Sequence, residues 1–178
     1  MTGEAPRART TAVLAALPED QWTVLRDGQD KRHIVVGPPG VFAIDTKDWS
    51  GAITVRANEL RQNGARRREV AESAENAAKA VIALGIREEL VHPVVCFDRD
   101  AALTAWVHAT RICSVSNLVT VLRAGTFALS ADEVREVSRH LDATLRGVTA
   151  PPLPARVRSA HAVQAEEREA APRRWWRR

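Results

Sequence analysis

Cysteine, methionine and tyrosine are scarce in this chain of 178 residues, which has two cysteines, one methionine and no tyrosine. Two thiols do not make a disulfide framework, and Cys96 and Cys113 lack the spacing of a C-x-x-C site, so we expect both to be buried and inert. Long apolar runs are missing too, because no segment approaches the ~18 to 20 consecutive apolar residues of a membrane-spanning helix. The charged N-terminal segment lacks the pattern of a secretory signal, and the prediction is a cytoplasmic protein.

Several motifs of common enzyme classes are also absent. The sequence has no G-x-x-x-x-G-K-[ST] loop, no G-x-G-x-x-G loop and no G-x-S-x-G elbow. P-loop ATPases, Rossmann dehydrogenases and serine hydrolases with that elbow are therefore disfavoured. Most of the five histidines are scattered without the spacing of metal ligands.

The net charge of +4 is unevenly distributed. Residues 1–150 carry 19 Lys and Arg against 19 Asp and Glu, whereas residues 151–178 carry 7 against 3, so the whole excess lies in the C-terminal segment. With 45% hydrophobic and 27% charged residues, the chain has the composition of one globular domain with an appendage. We place the domain at 1–149 and a Pro- and Arg-rich, disordered tail at 150–178, because the tail has few side chains to bury.

Apolar spacing predicts the elements of the domain. We expect helices at 7–17, 70–84, 116–122 and 130–146, strands at 22–25, 33–36, 41–47, 51–55, 91–97 and 106–113, and an exposed polar loop at 57–68. Ser130 and Glu133 have the spacing of a capping box, and Gly147 is placed to end the last helix.

An acid and a lysine stand two residues apart at the end of the third strand. Because side chains alternate along a strand, Asp45 and Lys47 share a face with Val41 and Ala43. A metal-dependent phosphodiesterase uses such a pair: the carboxylate helps to hold a divalent ion, and the ammonium orients water and offsets charge on the phosphate. D-x-K alone is more typical of a solvent-facing charge pair. Lys47, however, is one of only three lysines, and it lies where hydrophobic strands give way to a polar loop.

The surroundings of this pair resemble the nuclease-related domain (NERD) family, a branch of the restriction-endonuclease-like PD-(D/E)XK superfamily. The residues that carry the resemblance are Leu14-Ala15-Ala16-Leu17-Pro18, Trp22-Thr23-Val24-Leu25, His33-Ile34-Val35-Val36-Gly37-Pro38, Gly40-Val41-Phe42-Ala43-Ile44-Asp45-Thr46-Lys47, Trp49 and Gly51. A looser similarity continues through Glu75-Asn76-Ala77 and Val94-Val95-Cys96-Phe97, so that about residues 7 to 100 are covered.

The resemblance implies an α/β fold in which a mixed sheet is flanked by helices, here with an added C-terminal helix. It also implies DNA processing with magnesium or manganese. By position, Asp45 matches the family's metal-binding acid and Lys47 its lysine, and Asn76 stands in for a helix glutamine near the site.

Two positions depart from the family pattern. Arg32 occupies the place of the second metal-binding aspartate, directly before His33, and Arg7 stands near the place of an early-helix glutamate. If Val36 pairs with Val41, the register sets Arg32 opposite Asp45 and Asp30 opposite Lys47, which gives two salt bridges. A slip of two residues, or a bulge at the turn, brings Asp30 opposite Asp45 instead and recreates a metal site with two acids.

Further basic and polar residues have two interpretations each. His33 fits the family pattern as a substrate contact, but a histidine at a strand start is more often a structural hydrogen bonder. Arg32 beside it is a second candidate substrate contact. The run Arg66-Arg67-Arg68 is typical either of a phosphate contact or of a solvated loop. The end of the chain, Arg173-Arg174-Trp175-Trp176-Arg177-Arg178, suits nucleic acid or an anionic membrane surface, with a solubilising end as the alternative.

Two functional hypotheses follow. The first is a metal-dependent DNA nuclease that uses Asp45 and Lys47, with Asp30 as the substitute acid. The second is a non-catalytic nucleic-acid-binding or scaffolding module on the same fold, in which Arg32 neutralises Asp45.

Overall fold

A six-stranded mixed sheet forms the centre of the computed structural model, which describes residues 5–26 and 32–159. The strands of this sheet are β1 (Thr23–Arg26), β2 (His33–Gly37), β3 (Gly40–Lys47), β7 (Val91–Phe97), β8 (Thr104–Val107) and β9 (Thr110–Ser114), in the order β1-β2-β3-β7-β9-β8. The pairs β3/β7 and β7/β9 are parallel and the other pairs are antiparallel.

Helices cover both faces of the sheet. They are α1 (Ala5–Leu14), α2 (Arg68–Ala83), α3 (Leu118–Arg123) and α4 (Ala131–Leu145). On one face, Val41 and Ala43 of β3 pack in a cluster with residues of α2 and α4. On the other face, Phe42 and Ile44 pack with residues of α1 and α3. The predicted α/β architecture, a mixed sheet flanked by helices with an added C-terminal helix, is confirmed.

Strand β3 is buried on both faces because it lies inside the sheet. Its residues from 40 to 45 are all buried, and only Thr46 and Lys47 are half-buried. Helix α2 is the crossover between the parallel strands β3 and β7, and its predicted apolar stripe, which includes Val70, Ala77 and Val81, is buried as expected. The last helix also begins as predicted, since the Ser130 side chain accepts from Glu133 N and the Glu133 carboxylate accepts from Ser130 N.

A second, three-stranded sheet lies between β3 and α2 in the chain: β4 (Ile53–Arg56), β5 (Glu59–Gln62) and β6 (Ala65–Arg66). The expectation of a polar loop at 57–68 is therefore wrong. These strands are short, and Leu60 is the only buried residue of β5 and β6, so the sequence shows no apolar alternation. Left-handed backbone at Ala57 and Asn58, and again at Asn63 and Gly64, makes the two tight turns.

The segment predicted as a single strand at 106–113 is also different, since β8 and β9 form a hairpin. His108 at its turn has φ of 52°. Asn58 holds this turn: its Oδ1 accepts from His108 N at 2.7 Å and its Nδ2 donates to His108 Nδ1 at 2.8 Å. The turn of β4 and β5 is thereby fixed to the edge of the main sheet.

Residues 150–159 pack on the domain. Leu153 and Val157 are buried in the hydrophobic cluster beneath α4. Arg87 N donates to Val157 O, and Ser159 N donates to Gly85 O. Two apolar side chains among prolines and arginines gave no periodic signal for this docking. Among the described residues, no helix is both long and apolar enough to cross a bilayer.

Glu133 gives the fold a specific acid sensitivity. Its carboxylate pairs with Arg156, whose hydrogen bond is the main reason that the pKa of Glu133 falls from 4.5 to about 2, with smaller contributions from Ser130. Since the folded pKa is below the ordinary value, this contact stabilises the fold fully above about pH 4.5 and is lost as the pH falls towards 2.

We therefore expect Glu133→Gln to lower the melting temperature near neutral pH and to flatten its decline between pH 4.5 and 2.5. Thermal melts followed by circular dichroism across this range measure both effects. Glu72→Gln, at an exposed position of α2, is the matched control. An equally steep acid decline in Glu133→Gln and wild type would contradict the assignment.

Candidate functional site

The candidate site lies where β3 leaves the core. Alternation along the strand sends Asp45 to the same face as Val41 and Ala43, which is the face covered by α2. Asp45 is only 8% exposed, whereas Lys47, at the end of the strand, is half-buried. A carboxylate is thus held at the boundary between the core and solvent.

Two donors meet one oxygen of this carboxylate. Lys47 Nζ lies 2.8 Å from Asp45 Oδ2, and Ser73 Oγ of α2 donates to the same oxygen at 2.9 Å. The contact with Ser73 places the N-terminal half of α2 over the end of β3. The structure therefore brings Asp45 and Lys47 together, and it joins to them a serine that the sequence pattern did not single out. The only available signal was its spacing of three or four residues from Val70 and Ala77.

Asn76 lies one turn after Ser73 on α2 and is exposed. Residues three apart on a helix are neighbours on its surface, so Asn76 lies next to Ser73 on α2. The side chain of α2 that bonds Asp45 is that of Ser73.

The register of β2 on β3 is the one that pairs Val36 with Val41, as predicted. The last pair along these strands is His33 with Ile44. Continuing the same register places Arg32 across from Asp45, and the slipped alternative is excluded for the paired residues. Asp30, the predicted second acid, lies outside the described residues.

His33 points away from the site. Next to it, Ile34 packs in the cluster under α2, so alternation turns His33 to the face of α1. It is 3% exposed there, and its Nε2 lies 2.9 Å from Thr11 Oγ1. This geometry corresponds to the structural interpretation of His33.

A second ion pair lies where the neighbouring strand β7 ends, at the same end of the sheet but on its opposite face. Asp98 directly follows β7, and Arg9 of α1 pairs with it at 2.7 Å and also with Asp100. Asp98 N donates to Lys47 O at 2.9 Å, which ties the two strand ends together. The signal in the sequence was an acid directly after a buried strand.

The described residues do not by themselves fit a divalent ion. Magnesium needs several oxygen ligands in octahedral geometry. Within residues 5–26 and 32–159, no three His, Cys, Asp or Glu side chains are grouped to hold a metal. Asp45 offers one carboxylate, and Lys47 and Ser73 already occupy its Oδ2.

The cysteines take no part in this site. Cys96 and Cys113 are buried and free, and they are partners across β7 and β9. A hydrogen bond with Cys96, followed by burial, raises the pKa of the Cys113 thiol, which disfavours a reactive thiolate. Of the basic segments, Arg66–Arg68 joins the second sheet to α2, and residues 173–178 lie outside the described part of the chain.

Comparison with known proteins assigns the chain to a family. The model of the nuclease-related domain matches residues 2–98, which include β1 to β3, α2 and β7. No curated protein and no solved structure gives a significant match. The match spans more than half of the 178 residues and includes Asp45, Lys47 and Ser73. The chain therefore belongs to the nuclease-related domain (NERD) family, whose general context is the PD-(D/E)XK superfamily.

Proposed function

We propose that this nuclease-related protein hydrolyses phosphodiester bonds of DNA at the exposed end of β3. The observation that carries the proposal is the pairing of a nearly buried carboxylate, Asp45, with the ammonium of Lys47 at the boundary between core and solvent. An ammonium that is fixed at a partly desolvated position stabilises the negative charge that develops on a phosphate in the transition state.

The groups of this chain have distinct tasks in that reaction. Lys47 orients the attacking water and offsets the charge that grows on the phosphate oxygens. Asp45 positions the ammonium, and Ser73 fixes the carboxylate from the side of α2. Asn76, an exposed residue one turn after Ser73 on α2, is proposed to contact the substrate.

Dependence on Mg or Mn is part of the proposal and requires a second acid. Asp30 is the residue we propose for it, with Asp45 as the other ligand. The donors on Asp45 Oδ2 would have to give way to an ion.

A non-catalytic nucleic-acid-binding or scaffolding module is the second candidate. The specific observations that favour it are the two donors on Asp45 Oδ2 and the pairing of His33 with Ile44, whose continuation by one residue would set Arg32 across from Asp45. A guanidinium in that place neutralises the carboxylate and competes with a cation. Residues 173–178 are then proposed to add contacts to nucleic acid or to an anionic membrane. A cytoplasmic location is proposed with either candidate function.

Cleavage of plasmid and single-stranded DNA with magnesium or manganese tests the first candidate. Lys47→Ala should lower the rate by about 10²-fold or more, because the transition state loses a preorganised charge. Asp30→Asn should lower it as well. Lys79→Ala is the matched control, since Lys79 is an exposed lysine of α2, and it should cleave like wild type.

Arg32→Asp separates the two candidates. An inert wild type that gains metal binding or cleavage with Arg32→Asp supports the second candidate, because the acid of the family pattern has then been restored. If wild type and Arg32→Asp are both folded and both inert, hydrolysis at this site is refuted.

Ser73→Ala tests the positioning of Asp45. Removing the hydroxyl leaves Oδ2 of a nearly buried carboxylate with one donor fewer, which should lower the free energy of unfolding by about 1 to 3 kcal/mol. Urea unfolding monitored by tryptophan fluorescence measures the change. Ser116→Ala, at an exposed position, should change it by less than about 0.5 kcal/mol, and equal losses in the two variants would argue against the role of Ser73.

A further inference from the structure

The outer face of the second sheet concentrates arginine. Alternation turns Ile53, Val55 and Leu60 towards the core, where they pack with residues of α2 and β7. The opposite face therefore carries Thr54, Arg56, Glu59, Arg61 and Arg66, whereas Gln62 and Ala65 alternate to the side of Leu60. Of these five residues, three are arginines.

Two of the three arginines on this face pair with a single carboxylate, that of Glu59. Arg61 and Arg66 are direct partners on neighbouring strands, a placement in which like charges repel. Glu59 lies between them: Arg61 Nη2 is 3.0 Å from Glu59 Oε2, and Arg66 pairs with Oε1. Arg56 is the partner of Glu59 across β4 and β5. Three guanidinium groups against one carboxylate leave this face with a net charge of +2.

These guanidinium groups are accessible to a ligand. The side chains of Arg61 and Arg66 are 37% and 46% exposed although both contact Glu59. A guanidinium has five N–H donors in a rigid, planar fork, which matches two oxygens of a phosphate. Glu59 thus orients the forks and leaves donors for an anion.

The face is joined directly to the candidate site. The chain enters the second sheet six residues after Lys47 and leaves it at Arg66, two residues before α2 begins. Arg67 stacks on Trp49, with its Cζ 5.5 Å from the ring centroid, and Trp49 packs on Phe97 of β7 at 5.5 Å between rings. Both ends of the sheet are therefore anchored beside the end of β3.

A neighbouring cleft is a weaker candidate for the same ligand. A space of about 500 Å³ lies between the second sheet, the start of α2 and the β8–β9 turn, and Arg66–Arg68 line it in part. Glu59, Glu72 and Glu75 line it too, so its charge is balanced. Arg66 and Glu59 belong to both surfaces, and the excess positive charge of the outer face comes from Arg56 and Arg61, which do not line the cleft.

We propose that the outer face of the second sheet binds the phosphate backbone of DNA through Arg56, Arg61 and Arg66, and so holds the strand beside Lys47. Contacts of this kind are to phosphates and do not depend on base sequence. The proposal rests on the proposed function for the identity of its ligand, a nucleic acid, but not on cleavage.

Binding without cleavage provides the test. The affinity of the full chain for a fluorescently labelled 20-base-pair duplex is measured by anisotropy in EDTA at several salt concentrations. Arg61→Gln/Arg66→Gln should weaken binding and reduce the slope of log K against log salt concentration by about 2, because each phosphate contact contributes about 0.9. The control Arg135→Gln/Arg139→Gln removes the same charge from exposed positions of α4 and should leave the slope nearly unchanged.

Glu59→Gln should change the affinity for the duplex in the opposite direction. Without the shared carboxylate the face carries +3 instead of +2, so this variant should bind the duplex more tightly than wild type at low salt. A gain in affinity is not produced by misfolding, and circular dichroism melts check that the loss variant is folded.

Three results would overturn the proposal. The first is an unchanged slope in folded Arg61→Gln/Arg66→Gln, and the second is an equal loss in the α4 control, which would indicate diffuse attraction. The third is binding to phosphatidylserine vesicles through the same arginines with no binding to the duplex. Binding that depends on these arginines in a chain that never cleaves DNA would instead uphold this surface and refute hydrolysis.

Discussion

The geometry of the site depends on the register of β2 on β3. The turn that sets this register is held from outside, since Pro38 O accepts from Ala128 N and Leu129 N at 2.8 and 2.9 Å and His92 Nε2 donates to Pro39 O at 3.2 Å. A shift by one residue would exchange the two faces of β3 and turn Asp45 away from α2. Hydrogen bonds at one end of the strand therefore decide which side chains meet at the other end, about 20 Å away.

Glycines make this arrangement sterically possible. A Cβ on Gly37 would lie 2.2 Å from the ring of Trp22, and one on Gly40, where φ is 137°, would lie 2.5 Å from Leu90 O. Both residues flank the two prolines of the turn. The close approach of Trp22 and of the chain before β7 thus excludes any side chain at the ends of the hairpin, and it fixes the turn as a unit.

Much of this could be predicted from the sequence because it rests on strong periodicity. The stripes of α2 and α4, the capping box at Ser130, and the placement of Asp45 and Lys47 on one face of β3 all follow from the repeats of helix and strand. Strands β5 and β6 of the second sheet could not be predicted, because they are polar and Leu60 is their only buried residue. Ser73 could not be distinguished from other helix-rim residues, and the β8–β9 turn has neither glycine nor proline. The docking of Leu153 and Val157 depends on a surface that exists only after the domain has folded.

At the ends of β3 and β7, charged side chains form one ion pair on each face of the sheet. Asp45 pairs with Lys47 under α2, and Asp98 pairs with Arg9 beside α1. Because the two carboxylates lie on opposite faces, they do not converge on a common ligand. Any cation that binds Asp45 must therefore compete with the ammonium already present on its Oδ2.

The second sheet has an evolutionary consequence. It is inserted between β3 and α2, its ends are anchored by Trp49 and Arg67, and its far turn is fastened to the main sheet by Asn58 and His108. Apart from Ile53 and Leu60, its side chains contribute little to the buried core. Natural selection can therefore replace the outer residues of this sheet, or lengthen its turns, without altering the strands that hold Asp45 and Lys47.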